Sequence, residues 1–177
     1  MKIGLVRHFE VIHSYSKFMT SKGFEEWVNI YDTAPVRQDY PDESQIKWER
    51  CLSSDLPRAL STARHIYKGE IIGTKELREV HISPVFKTNI KLPFALWTVL
   101  GRMEWLCSHG SQNEKKAETE ERIRNFISYV ISSQENNTLL VTHGFSMKYT
   151  QEDLLKQGFK GEKFIKAQNG KMYIFKK

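Results

Sequence analysis

Residues 138–144 read Thr-Leu-Leu-Val-Thr-His-Gly, an apolar and β-branched run that stops abruptly at a histidine and a glycine. A short run with no polar alternation reads as a strand covered on both faces, the kind found in parallel sheets. Phe145 to Leu155 then reads as a helix. The chain opens in the same way: Ile3-Gly4-Leu5-Val6 is an apolar run ended by Arg7-His8. Upstream of the first run, Glu114 to Ser133 carries Ile123, Phe126, Ile127, Val130 and Ile131 on one helical stripe. Downstream, Gln168-Asn169-Gly170-Lys171 predicts a tight hairpin between two short strands. Phe24, Trp27, Val28 and Tyr31 predict a helix that ends before Pro35, with a loop from Thr33 to Glu43. Glu49 to Leu52 predicts a strand, and Ser53-Ser54-Asp55 offers caps for a helix running to about Tyr67, with Pro57 tolerated in its first turn. Leu92 to Leu106, the most apolar segment, predicts a core or lid helix. Strands alternating with helices imply an α/β domain, a three-layer α/β/α sandwich on a largely parallel sheet.

Composition narrows the functional classes. The 177 residues are 40% hydrophobic and 27% charged, a globular balance that suits one domain. Cys51 and Cys107 are the only cysteines, so a disulfide framework is excluded and both are expected to be unreactive packing residues. No run approaches the ~18 apolar residues of a membrane span, and Arg7-His8 comes too early for a signal peptide, so the expectation is a cytoplasmic protein with no membrane partner. Twenty-seven basic against twenty-one acidic residues give a charge of +6, which suits an anionic partner. The lysines are scattered, and runs such as Lys115-Lys116 are short, so nucleic acid is not expected.

In parallel sheets, ligands bind outside the carboxyl ends of the strands. His8 and His143 stand there on separate strands, Arg7 accompanies the first, and Arg58 lies in the first turn of a helix following a third. Imidazoles and guanidiniums converging at one sheet edge make an anion site suited to phosphoryl transfer. Arginine forks match phosphate oxygens, and a neutral imidazole can carry a phosphoryl group covalently. A cation in a helix's first turn is itself disfavoured by the macrodipole unless an anion sits beside it. The turn at His143-Gly144 is expected to aim backbone N–H groups at the same anion.

Leu5-Val6-Arg7-His8, Ser53-Ser54-Asp55-Leu56-Pro57-Arg58-Ala59-Leu60-Ser61-Thr62-Ala63, Leu77-Arg78-Glu79-Val80 and Leu140-Val141-Thr142-His143-Gly144 together resemble, in order, the motifs of the histidine phosphatase superfamily, the phosphoglycerate mutase-like fold. The resemblance implies one domain over 1–177, a lid or insertion near 84–112, and an enzyme acting on a small phosphorylated substrate without metal or other cofactor. It implies that His8 is the phosphorylated nucleophile, that Arg7, Arg58 and His143 bind the phosphoryl group, and that Glu79 is the proton donor, with His143 also counted as catalytic. Two positions depart from the family pattern. Phe9 replaces the usual glycine after the histidine and must either line the pocket or be absorbed elsewhere. Ser14 stands where the mutase pattern has asparagine, and is expected to donate one hydrogen bond to phosphate.

The chain lacks the insertions of mutases, so a metal-independent, acid-type phosphatase is expected before a mutase. A weak phosphate-binding protein blocked by Phe9 and a phosphohistidine-protein phosphatase stand as rivals. Glu76, three residues from Glu79, is an alternative acid; His109-Gly110 reads as loop or lid; His13, His65 and His81 lack metal-ligand spacing. The apolar segment Leu92 to Leu106, together with Phe9, is expected to wall the leaving-group side and so favour apolar or aromatic esters, with ordinary core packing as the other reading.

Overall fold

The computed structural model describes residues 1–38, 46–108, 110, 112–133 and 135–177; part of the expected loop and His109 lie outside these. Its main sheet has the order β4-β3-β6-β1-β8-β7, formed by β1 (Lys2–Arg7), β3 (Arg50–Ser54), β4 (Ile71–Thr74), β6 (Asn137–Thr142), β7 (Lys160–Gly161) and β8 (Met172–Lys176). The pairs β4-β3, β3-β6 and β6-β1 are parallel, whereas β8 runs antiparallel to both β1 and β7. The central strands β1 and β6 are the two apolar runs, buried almost throughout. Ile3 and Leu5 of β1 face the cluster formed with α4 (Lys116–Ser132) and α5 (Gly144–Lys156), while Val6 faces the opposite cluster with Ala59 and Ala63 of α2 (Pro57–Ile66). The period of two along a strand thus feeds one core on each side of the sheet, giving three layers.

A third cluster lies apart from the sheet. Met19, Phe24, Val28 and Trp97 join α1 (Ser21–Thr33) to α3 (Phe94–Leu106), and β2 (Phe18–Met19) pairs with β5 (Leu92–Pro93). The helix expected over 92–106 is therefore not free-standing: its strand-like entry and Trp97 tie it to α1. Trp97 is fully buried and donates its indole N–H to the Met19 carbonyl at 2.9 Å.

Two local expectations are corrected. Gln168-Asn169-Gly170-Lys171 does not join two strands as a tight hairpin. Gly170 has a positive φ of 72°, but Asn169 bridges in parallel to Arg7, and β8's antiparallel partner β7 lies ten residues upstream of it. Asn169 is held there because its side-chain amide donates to the His8 carbonyl at 2.7 Å. Nor do Ser53, Ser54 or Asp55 cap α2. Its N-cap is Leu56, without a side-chain cap, because Ser54 is drawn to His143 and Asp55 accepts both arms of Arg78 at 2.6 and 2.7 Å. Strand β4 has no counterpart in the sequence reading; half-exposed and containing Gly73, it presents no apolar run to detect.

Candidate active site

Strand register decides the site. Arg7 is opposite Thr142 and Val141 opposite Ser53, so three parallel strands end level with one another. The next residues, His8 and His143, then stand side by side, their ring centroids 5.1 Å apart. The His8 amide donates to the Thr142 carbonyl at 2.9 Å, carrying the parallel ladder one residue further.

The hydrogen bonds set both tautomers. His8 Nδ1 lies 2.7 Å from the Phe9 carbonyl, which only accepts, so Nδ1 carries the proton and Nε2 keeps a lone pair. His143 is the reverse. Arg58 Nε donates to its Nδ1 at 3.2 Å, so Nε2–H donates to Ser54 Oγ at 2.8 Å. Both rings are buried. Burial, and then the Arg58 charge, push the His8 pKa down to about 3, outweighing the opposite pull of the Phe9 carbonyl. Burial first, with Arg58 second, likewise holds His143 well below 6.5. Each is a neutral imidazole at neutral pH.

Arg58 is only 2% exposed, and its guanidinium lies at the head of α2 over the Tyr31 ring. The anion beside it is a protein carboxylate: Asp32, in the last turn of α1, accepts from its Nη1 at 2.7 Å. Arg7 donates through Nη1 to the Ala167 carbonyl at 3.0 Å, but its Nε is buried with no partner in the structure. An orphaned buried donor is costly. Gly144 lets the guanidinium lie there, since a Cβ at that position would stand 3.1 Å from Arg7 Nε.

Glu79 takes two of the N–H groups at the head of α5 that follow the His143-Gly144 turn. Its Oε2 accepts from the Phe145 amide and its Oε1 from the Ser146 amide, each at 3.1 Å. Oε1 also accepts from the Val80 amide at 3.0 Å, and Ser146 Oγ, which donates to the Arg78 carbonyl at 2.7 Å, lies 3.3 Å from it. The Phe145 and Ser146 N–H groups thus serve the Glu79 side chain and are not left open for phosphate. Glu79 nevertheless lines the cavity, whereas Glu76 is exposed on a 3-10 turn outside it.

The cavity has a volume of about 430 Å³ and is bounded by Arg7, His8, Arg58, Glu79 and residues of α1 and α3. Ser14 is absent from its lining. It is exposed and borders a separate cavity with His13 and Tyr15, because the chain after Phe9 turns outward past Trp27. Phe9 is absent as well: fully buried, it meets His65 edge-on at 5.3 Å, and its amide donates to Thr62 Oγ1 at 2.9 Å. Of the expected wall, the segment Leu92 to Leu106 does reach the cavity, through Thr98 and Arg102 of α3, whereas Phe9 and the buried Trp97 are absent from its lining. Sequence reasoning did not place Asp32, Ser54 or Asn169 at the site: Ser54 reads there as a helix cap, Asn169 as a turn residue, and Asp32 carries no local signal. Among the described residues no group of three or more His, Cys, Asp or Glu side chains is placed to hold a metal ion, and no helix is long and apolar enough to cross a membrane.

Comparison with known proteins agrees with this architecture. The chain is similar to a mycobacterial glucosyl-3-phosphoglycerate phosphatase (16% identity, TM-score 0.61, 98% of this chain and 88% of that one). It is also similar to the α-ribazole phosphatase of Shigella flexneri (18%, 0.61, 98% and 89%). A phosphoserine phosphatase from Entamoeba histolytica, solved with phosphoserine, gives 20%, 0.60, 98% and 89%. At such identities the likeness carries the fold. A search of curated proteins found no match. The sequence profile of the histidine phosphatase superfamily (branch 1) matches residues 40–176, starting well after Arg7 and His8, which the sheet itself brings to the matched part. By that match, and by a fold shared over nearly its whole length, the chain belongs to branch 1 of the histidine phosphatase superfamily.

Proposed function

We propose that the chain is a phosphomonoesterase that works through a phosphohistidine at His8. The carrying observation is the His8 tautomer: a neutral ring with its proton fixed on Nδ1 by the Phe9 carbonyl and its Nε2 lone pair free, between Arg7 and His143. In the first step Nε2 forms a bond to phosphorus, and the bond from phosphorus to the leaving oxygen breaks. Glu79 gives its proton to that oxygen. In the second step water attacks phosphorus, the N–P bond breaks, the proton of water passes to Glu79, and inorganic phosphate leaves. Arg7 Nε and Arg58 meet the charge on the phosphoryl oxygens. A bound phosphoryl group competes with Asp32 for Arg58 and with Ser54 for the Nε2–H of His143.

The substrate is read as a small phosphorylated molecule, in keeping with the names of the similar proteins. The chain is read as one domain in which α3, through Thr98 and Arg102, and α1 border the site. The rival in which Phe9 blocks the pocket loses its basis, since the ring lies buried outside the cavity.

Purified protein is expected to release phosphate from p-nitrophenyl phosphate in the presence of EDTA. Rapid quenching is expected to trap an acid-labile, base-stable adduct that His8→Ala abolishes, with turnover falling by several orders of magnitude. An adduct formed at wild-type level by His8→Ala would overturn the assignment, as would activity that chelation removes and magnesium restores.

A further inference from the structure

The cavity holds more cationic character than a single phosphoryl group uses. Of its arginines, Arg58 is paired with Asp32 and Arg78 with Asp55. Arg7 lines the cavity and keeps a buried Nε without a partner. Arg102 is the fourth, on the α3 side. Gly101 brings α3 so close to residues 82–83 that a Cβ would stand 3.3 Å from Ile82 Cβ, and this approach delivers the next residue to the cavity wall. The Arg102 guanidinium lies 4.2 Å over the Phe145 ring and donates through Nη1 to the Val80 carbonyl at 3.0 Å.

No carboxylate lies within ion-pair distance of Arg102 among the described residues. Glu79 attracts it only from beyond that distance, and burial, the dominant influence, pulls its pKa down. Arg102 is half-buried, and an arginine partly withdrawn from water without a counter-charge carries a cost that a ligand anion offsets. The stacked face and the single carbonyl contact leave most of the five guanidinium N–H donors for such a partner. A cavity of about 430 Å³ has room for a leaving group beyond the phosphoryl group.

We infer that Arg102 is a specificity-determining residue that binds an anionic group on the leaving-group side of the substrate, so that preferred substrates are phosphomonoesters carrying a second anion, a carboxylate or a second phosphate. The inference rests on the phosphatase reading for the identity of the first group, but its binding arm does not depend on turnover.

Hydrolysis of carboxyalkyl phosphates of increasing length is compared with that of n-alkyl phosphates of the same lengths, in wild type, Arg102→Gln and Arg102→Lys. The wild type is expected to favour the carboxyalkyl series at one chain length. Arg102→Gln is expected to lower kcat/KM on it by about ten- to a hundredfold more than on the n-alkyl series, mainly through KM, with partial recovery in Arg102→Lys. Equal losses on both series, with no preference for a second anion in the binding arm below, would overturn the inference and assign Arg102 a structural or Glu79-positioning role.

In parallel, calorimetry measures binding of the matching non-hydrolysable phosphonates. A wild-type preference for carboxyalkyl phosphonates that Arg102→Gln removes supports the inference whether or not any ester is turned over. A preference confined to alkanediol bisphosphonates supports it with a second phosphate as the anion. Equal affinity for all three series overturns it. Failure of every ester with such a preference retained would instead defeat the phosphatase reading alone. Should Arg102→Gln fail to fold, Arg102→Met, which keeps the apolar stem over Phe145 and removes the charge, carries the same comparison.

Discussion

At the scale of single residues, the candidate nucleophile is prepared by its neighbours before any substrate arrives. Burial and two guanidiniums disfavour a charged His8, and the Phe9 carbonyl decides which nitrogen keeps the lone pair. Glu79 is less simply placed, since it both lines the cavity and caps α5. Glu79→Gln separates the two roles. As general acid, its loss is expected to slow alkyl phosphates by on the order of 10²–10⁴ and p-nitrophenyl phosphate far less, because nitrophenolate departs unprotonated. As a cap, the same change is expected to cost about 1 kcal/mol of stability in a denaturant titration. Equal kinetic losses on both esters would leave only the cap. Arg7, His8, Arg58 and His143 were legible in the sequence because each abuts a strand end or helix start, where local pattern dictates position. Ser14 was not, because the path of the loop after Phe9 is set by Trp27 and α1, which no spacing encodes.

At the scale of elements, the head of α5 shows how a helix start is fitted to its surroundings. Glycine is the poorest helix former after proline, yet Gly144 opens this helix because Arg7 lies against it. Gly144→Ala is therefore expected to have opposed effects. Stability should change by less than about 1 kcal/mol, since alanine favours the helix, while kcat/KM falls by roughly tenfold as Arg7 Nε is pushed from its place. Thermal unfolding and p-nitrophenyl phosphate kinetics on one preparation check both, and unchanged kinetics would show that Arg7 yields freely. The helices of the sandwich were legible from their apolar stripes and punctuation. The pairing of β2 with β5 was not, because two-residue strands carry no period and form only where α1 and α3 meet.

At the scale of the whole molecule, folding buries two imidazoles that the unfolded chain exposes at their ordinary pKa of 6.5. The unfolded chain takes up these protons first as pH falls. Stability is thus complete above pH 6.5 and declines on acidification toward about 3, where His8 itself protonates in the folded state. The slope is about 1.4 kcal/mol per pH unit for each histidine within that window. Denaturant titrations in phosphate-free buffer at stepped pH are expected to show this decline, and His8→Asn is expected to remove roughly half of it. A flat profile in the wild type would mean that the rings are solvated in solution. The sequence by itself determined the alternation of strands and helices, the sheet's central runs and the four residues at its carboxyl edge, since those follow from local periodicity and from where apolar runs end. Only the tertiary structure decided that His8 and His143 stand 5.1 Å apart, that Asp32 and Ser54 hold Arg58 and His143, and that Phe9 faces the core. Those depend on strand register and on helices crossing over the sheet edge, which bring together residues such as Asp32 and Arg58 that no local pattern links.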